Sequence, residues 1–305
     1  MKNTIILQVV SILVLLTVGS CNGGKSQDNM EKANIDKEGL QQNATHLTSK
    51  DGTRIAFSKA GTGPAIIIVN GALSYRAVYD DKPLVSALSK NFTIYTYDRR
   101  GRGESTDTSP YNVAREIEDI EALINDAGGS AYLYGVSSGA ALSLLAAAKL
   151  GEEKIPKLAL YEPPYVATAE KDKQGFVEQG KRINELIKTG KPGDATAYHF
   201  TAIGTPPEAL ENIRKSPQWP LMERVEHTLA YDYAILNDGA IPADAVKKAT
   251  MPTLVMNGDK SFDFMSKIAK NLSGMMSKAQ WKELKGQKHQ ASPEIIAPVL
   301  HEFFK

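Results

Sequence analysis

The chain has 305 residues, with 36 lysines and arginines against 35 aspartates and glutamates, and a single cysteine, Cys21. This length is enough for one large domain or two small ones. The near-zero net charge gives no indication of a nucleic-acid or polyanion partner, and one cysteine excludes an intrachain disulfide and a cysteine-based metal site.

The first residues have the composition of an export signal. Met1-Lys2-Asn3 precede an apolar run over residues 4–17, which has signal-peptide length and is short for a membrane-spanning helix. With small residues before Cys21, this order resembles the bacterial lipoprotein signal, in which the cysteine is lipidated and becomes the mature N-terminus. The resemblance implies a signal peptide over 1–20 and a protein lipid-anchored at Cys21 in the bacterial cell envelope. The alternative is an uncleaved membrane anchor.

Residues 21–44 are polar with little apolar periodicity, which predicts a flexible tether between the membrane and a folded domain. The domain then begins with a predicted β-hairpin over residues 45–58, around an Asp51-Gly52 turn. Apolar runs predict buried strands at 64–69, 92–97, 130–134, 158–161 and 253–258, with a last strand at 280–284. Helical patterns occupy 113–127, 138–148, 266–275 and 295–304.

Strands that alternate with helices predict an α/β fold with a mostly parallel, doubly wound sheet. Residues 165–249 depart from that alternation, because they show helical patterns and loop signals without a buried strand. We therefore expect a core formed by residues 45–164 and 250–305, interrupted by an inserted helical cap over 165–249.

The sequence Gly135-Val136-Ser137-Ser138-Gly139 stands between a predicted strand and an alanine-rich predicted helix. Strand, tight turn and helix are the context in which Gly-x-Ser-x-Gly exposes a nucleophilic serine at the positive end of the helix. We predict that Ser137 is a nucleophile. Because a free serine is a weak nucleophile, this prediction requires a base and an acid elsewhere in the chain.

Several separated motifs agree with this interpretation. They are residues 70–72 after the third strand, 97–105 after the fourth, 135–139 after the fifth, the strand at 252–258 and the loop from Gly286 to His289. In this order the chain resembles the α/β-hydrolase family from about residue 45 to its C-terminus. The resemblance implies a Ser-His-acid triad with an oxyanion hole, and no metal or other cofactor.

The resemblance also assigns residues to roles. His289 lies in the loop between the last strand and the last helix, where the family's base lies, while the other histidines fall in a strand, a helix or the cap. The cap histidines, His199 and His227, are surface or packing residues unless one contacts the substrate. The oxyanion donors implied are the backbone N–H groups of Ala72 and Ser138.

The acid departs from the common family pattern. Many members carry Gly-x-x-Asp after the seventh strand, but this chain reads Gly258-Asp259-Lys260-Ser261, with serine at the acid position. Some members, haloalkane dehalogenases among them, take the acid from the end of the sixth strand, where this chain has Glu162. We predict that Glu162 is the acid, with Asp259 and Asp263 as alternatives.

These features together predict a serine hydrolase that acts on a small ester or related acyl compound through an acyl-enzyme. Two alternatives remain open. The same triad supports cofactor-free perhydrolysis or carbon–carbon bond hydrolysis, and a hydrolase fold with a decayed triad would be a non-catalytic, ligand-binding lipoprotein. The substrate depends on how the cap shapes the pocket, which the sequence does not specify.

Overall fold

The computed structural model describes residues 45–78, 81–166 and 168–305. The predicted signal peptide, the tether and Cys21 lie outside the described residues. The described residues form one eight-stranded sheet, in the order β1-β2-β4-β3-β5-β6-β7-β8. The strands are β1 (Thr45–Thr48), β2 (Arg54–Ala60), β3 (Ala65–Val69), β4 (Thr93–Tyr97), β5 (Tyr132–Val136), β6 (Leu158–Tyr161), β7 (Thr253–Gly258) and β8 (Ala279–Leu284).

Only β2 pairs antiparallel with its neighbours, β1 and β4, and the other strand pairs are parallel. The helices are α1 (Lys82–Leu88), α2 (Val113–Asp126), α3 (Ser138–Lys154), α4 (Glu170–Thr189), α5 (Asp194–Ala202), α6 (Pro207–Arg214), α7 (Trp219–Glu223), α8 (Leu229–Leu236), α9 (Ala243–Lys248), α10 (Asp263–Met275) and α11 (Pro293–Phe304). None of the described helices is long and apolar enough to cross a membrane.

Helices cover both faces of the sheet, so the central strands are buried on both sides. Strand β3 shows this directly, because all five of its residues are buried and successive side chains point to opposite faces. Ile67 and Val69 belong to a buried cluster with apolar residues of α2, α3 and α10, whereas Ile66 and Ile68 belong to a second cluster with residues of α1 and α11. A strand buried on both faces must be apolar throughout, which is why the central strands read as continuous apolar runs.

The described residues between β6 and β7 form six helices, α4 to α9, and a 3-10 turn at Glu226–Thr228. We call residues 165–249 the inserted segment. Its apolar side chains, including those of Trp219, Leu229 and Tyr233, join the same buried cluster as α3 of the core. The predicted doubly wound α/β sheet with inserted helices is confirmed, and the division into domains stays a prediction.

The sheet topology brings distant parts of the chain to one edge. In register, Val69 of β3 pairs with Gly135 of β5, and Val136 of β5 pairs with Tyr161 of β6, which pairs with Met256 of β7. The residues that follow these strands therefore meet at the carboxyl edge of the sheet, where open α/β sheets place their ligand sites.

Candidate active site

Ser137 occupies a strained turn between β5 and α3. Its φ of 56° and ψ of −127° lie in a region that L-residues rarely adopt. The flanking glycines are required by close packing: a Cβ at Gly139 would lie 2.0 Å from the carbonyl oxygen of Val69, and a Cβ at Gly135 would lie 2.5 Å from Ser143 Oγ. The Gly-x-Ser-x-Gly pattern is thus explained by the steric demands of this turn.

The loop after β3 lies against Ser137. A Cβ at Gly71 would lie 2.9 Å from the Cβ of Ser137 and 3.5 Å from its Oγ. The predicted oxyanion donors flank this contact, since Ala72 follows Gly71 and Ser138 opens α3. Within the described part of the chain, neither of these two N–H groups donates a hydrogen bond. Ser138 also stands at the positive end of α3, which is regular as far as the kink at Gly151, and this end favours negative charge.

Glu162 and His289 form a hydrogen-bonded pair at the same edge. Glu162 Oε2 lies 2.6 Å from His289 Nδ1, and the Glu162 side chain is fully buried while His289 is about one-third exposed at 35%. Glu162 also accepts hydrogen bonds from Gly258 N at 2.8 Å and from Ser261 Oγ at 2.6 Å. Because an ionised carboxylate only accepts, His289 Nδ1 carries the proton and Nε2 is left as a base.

The loop that carries His289 is fixed to the ends of β6 and β7. Lys260 N donates to Gln287 O at 2.8 Å, and the Tyr161 hydroxyl donates to the carbonyl of Lys288. The approach of this loop to β7 is so close that a Cβ at Gly258 would lie 2.1 Å from Gln287 O. These contacts therefore hold the loop of His289 at the ends of β6 and β7.

Neither of the two alternative acids has a hydrogen bond to His289 among the described residues. Asp259 is exposed, and its Oδ1 accepts a hydrogen bond from Gly286 N at 2.6 Å. Asp263 is an exposed residue at the first position of α10. Of the three candidate carboxylates, Glu162 is the one that the structure brings to His289. The catalytic roles of Ser137, His289 and Glu162 stay predictions.

Sequence reasoning missed a buried charge cluster beside Ser137. Asp232, on α8, accepts hydrogen bonds from Ser138 Oγ, Arg99 Nη1 and Arg102 Nη2, each at 2.7 Å. Burial acts to raise the pKa of Asp232, but Arg102 and Arg99 outweigh it and hold the pKa below its usual value. The available signal was the run of three arginines at 99, 100 and 102, because buried arginines require carboxylate partners.

His199 approaches the same region from α5. Its Nδ1 is buried and, within the described residues, has no hydrogen-bond partner, although the ring as a whole is only half-buried. Tyr233 packs edge-on to the ring, with centroids 6.1 Å apart. Burial lowers the pKa of His199 to about 4, with Asp232 acting to raise it and His289 acting to lower it. The imidazole of His199 is therefore neutral near pH 7.

The groups that meet at this edge are a hydroxyl, an imidazole, a buried carboxylate and two free backbone N–H donors. No group of three histidine, cysteine, aspartate or glutamate side chains that could hold a metal ion occurs among the described residues. The arrangement is suited to nucleophilic attack with proton transfer and to stabilisation of an oxyanion.

Comparison with known proteins gives consistent results. A model of the alpha/beta hydrolase family matches residues 66–295. A crystal structure of an alpha/beta hydrolase from Sphaerobacter thermophilus DSM 20745 is 43% identical, with a TM-score of 0.77, over 86% of this chain and 100% of that chain. A 2-(acetamidomethylene)succinate hydrolase from Mesorhizobium japonicum is 30% identical over 210 residues, which is 66% of this chain and 72% of that protein.

A thermophilic esterase from Thermogutta terrifontis shares the fold at a TM-score of 0.66, with 20% identity over 86% of this chain and 97% of that chain. At this identity the likeness concerns the fold alone.

Proposed function

The chain belongs to the alpha/beta hydrolase family, and from that premise we propose that it is a serine hydrolase that cleaves a small ester or related acyl compound. The observation that carries this proposal is the hydrogen bond between His289 Nδ1 and the buried Glu162, 2.6 Å long, at the strand edge where Ser137 occupies its strained turn. A nucleophile, a base and an acid thus come from three neighbouring loops.

In the proposed mechanism, His289 Nε2 accepts the proton of Ser137 as Ser137 Oγ attacks the acyl carbon. Glu162 stabilises the imidazolium that forms, and the N–H groups of Ala72 and Ser138 stabilise the oxyanion. The imidazolium then protonates the leaving alcohol and an acyl-enzyme remains. Water, deprotonated by the same imidazole, attacks this acyl-enzyme, so that the acid is released and Ser137 regains its proton.

The alternative reactions use the same residues. Perhydrolysis or carbon–carbon bond hydrolysis would keep the triad and change the acceptor or the bond, and the relative named for 2-(acetamidomethylene)succinate does not favour an ester over other acyl compounds. A serine in place of the usual acid at position 261 would agree with a decayed triad and a ligand-binding protein. That alternative is weakened because Ser261 donates to Glu162 and Glu162 contacts His289.

The test uses the full-length protein in detergent with p-nitrophenyl esters of increasing acyl length and a fluorophosphonate probe. We expect the wild-type protein to be labelled and to turn over short esters. Ser137→Ala should abolish labelling and lower turnover by several orders of magnitude, while the melting temperature changes little. Labelling and turnover that persist in Ser137→Ala would refute the serine hydrolase, and a wild-type protein that binds esters without labelling would favour the ligand-binding alternative.

We also propose that the protein is lipid-anchored in the bacterial cell envelope through Cys21. The support is the sequence pattern before Cys21 and the polar tether that separates it from β1. Cys21→Ala should abolish lipidation, as read from detergent partitioning and the mass of the mature N-terminus. A wild-type N-terminus without acyl mass at Cys21 would contradict the proposal.

A further inference from the structure

Asp232 joins the inserted segment to the core at the candidate oxyanion hole. It is the buried residue of α8 whose three hydrogen-bond donors, Ser138, Arg99 and Arg102, all belong to the core. One of them, Ser138, is also the residue whose backbone N–H is a candidate oxyanion donor. The Asp232 carboxylate therefore holds the side chain of the residue that provides the first donor.

The second donor is connected to Asp232 through Arg102. Arg102 Nη1 donates to Gly71 O at 2.6 Å and to Ser74 O at 3.3 Å, while its Nη2 binds Asp232. The carbonyl of Gly71 and the N–H of Ala72 belong to one planar peptide unit. An arginine that holds this carbonyl on one side therefore orients the N–H on the other.

We infer that Asp232 is a positioning residue that aligns both oxyanion donors, the N–H of Ser138 through the hydroxyl of the same residue and the N–H of Ala72 through Arg102. The inference rests on the proposed function, because an oxyanion forms only if Ser137 attacks an acyl carbon. It also gives the inserted segment a part in transition-state stabilisation, in addition to any part in shaping the pocket.

A second buried ion pair in the same stretch of chain serves as a control. Asp119 is buried and binds Arg100 through two hydrogen bonds, of 2.8 and 2.7 Å. The remaining acceptors of Arg100 are Asp51 and the carbonyl of Arg115, so this pair contacts neither Ser138 nor the loop after β3. Asp119→Asn and Asp232→Asn thus remove equally buried charges that differ in their connection to the site.

The experiment measures kcat, KM and the affinity for phenylboronic acid, whose adduct with serine mimics the tetrahedral transition state. In the full-length protein, Asp232→Asn should lower kcat at least ~10-fold with a change in KM below ~3-fold. The affinity for the boronic acid should fall by the same factor as kcat/KM. Asp119→Asn should keep kcat and boronic acid affinity within ~2-fold of wild type, even if its melting temperature falls as much as that of Asp232→Asn.

The direction of the change in kcat in Asp232→Asn distinguishes a loss of alignment from a change in electrostatic stabilisation. Arg99 and Arg102 face two carboxylates, Asp232 and Glu116, so Asp232→Asn leaves one net positive charge in the cluster. Coulomb attraction alone would make this charge favour the oxyanion. A fall in kcat therefore reports the loss of alignment.

Values for Asp232→Asn within ~2-fold of wild type would overturn the inference, and so would an equal loss of kcat in Asp119→Asn. If Asp232→Asn does not fold, Ser138→Ala decides, because it removes the hydroxyl that binds Asp232 and keeps the backbone donor. It should lower kcat and boronic acid affinity ~3-fold or more, and unchanged values would overturn the inference. Ser137→Ala separates the two failures: turnover that survives it refutes the proposed function itself.

Discussion

Two histidines reach the candidate site from different regions, and their surroundings differ. His289, from the core, has its Nδ1 held 2.6 Å from Glu162. His199, from the inserted segment, has a buried Nδ1 with no hydrogen-bond partner among the described residues. The core thus provides a hydrogen-bond partner for Nδ1 of His289, whereas Nδ1 of His199 in the inserted segment has none among the described residues. An unpaired buried polar atom typically lowers stability by about 1–3 kcal/mol.

The difference indicates that the two histidines have different roles. A base must be held in one tautomer and one orientation, which requires a fixed partner within the protein. An unpaired buried polar atom instead favours a ligand that can pair with it. We therefore expect the core to determine whether the reaction occurs and the inserted segment to determine which substrate reacts. Asp232 belongs to the inserted segment, but the side-chain hydrogen bonds that the described residues give it all go to the core.

In this comparison, the largest effect is expected for the variant that removes the charge of Glu162, the partner of His289 in the core. Glu162→Gln keeps the shape of the side chain and loses the charge that stabilises the imidazolium, so kcat for p-nitrophenyl acetate should fall at least ~10²-fold with little change in melting temperature. The controls are Asp259→Asn and Asp263→Asn, each expected within ~3-fold of wild type because these exposed carboxylates have no hydrogen bond to His289 among the described residues. If Asp259→Asn lowers kcat strongly while Glu162→Gln leaves it nearly unchanged, the acid is Asp259, which follows the seventh strand, and not Glu162.

A second change moves the acid instead of removing it. Ser261 occupies the family's usual acid position, and its Oγ lies 2.6 Å from Glu162 Oε2, the same oxygen that contacts His289. A carboxylate at 261 can therefore reach His289. We expect Glu162→Gln with Ser261→Asp to be ~10-fold more active than Glu162→Gln alone. Ser261→Asn in the same background supplies the shape without the charge, and equal activity of the two double variants would contradict the prediction.

The order of strands and helices could be predicted because it rests on local patterns. A central strand such as β3 is buried on both faces and so reads as an uninterrupted apolar run. The inserted segment was also visible, as a long stretch of helical patterns without such a run. Glu162 could be placed near His289 because the family resemblance indicates the end of the sixth strand for the acid, and because both residues follow strands that end at the same edge of a parallel sheet.

The charge cluster could not be predicted in this way. Asp232 lies 94 residues from Ser138 and 130 residues from Arg102 along the chain, and no periodicity links them. Which carboxylate of the inserted segment meets the buried arginines depends on how α8 docks against the core. The unpaired nitrogen of His199 could not be predicted for a related reason, because a buried atom without a partner has no signature in the sequence.

A smaller effect is expected on the side of the inserted segment. His199→Phe keeps the ring that packs against Tyr233 and removes the unpaired nitrogen. If this nitrogen binds a polar group of the substrate, the ratio of kcat/KM for p-nitrophenyl 3-hydroxybutyrate to that for p-nitrophenyl butyrate should fall ~3- to 10-fold. His227→Phe is the control, because that histidine faces Asp107 at 3.7 Å. An unchanged ratio in His199→Phe would remove this residue from substrate selection.

The smallest effect concerns stability and follows from the same unpaired imidazole. Burial lowers the pKa of His199 to about 4 in the folded protein, against about 6.5 in an unfolded chain. Between these values the unfolded state binds a proton that the folded state does not, so stability falls as the pH decreases from about 6.5 towards 4. Asp232 acts to raise the pKa of His199 and His289 acts to lower it, and both residues are present in both proteins to be compared.

His199→Phe removes this proton-linked loss. From pH 7 to pH 5.5 the unfolding free energy of the wild-type protein should fall by about 1 kcal/mol more than that of the variant, since one pKa unit corresponds to about 1.4 kcal/mol. Urea unfolding at the two pH values measures the difference, and the comparison between variants cancels the titration of all other groups. If the difference in unfolding free energy between wild type and His199→Phe does not change with pH, His199 has the same pKa in the folded and unfolded states. The unpaired nitrogen would then not be buried in solution.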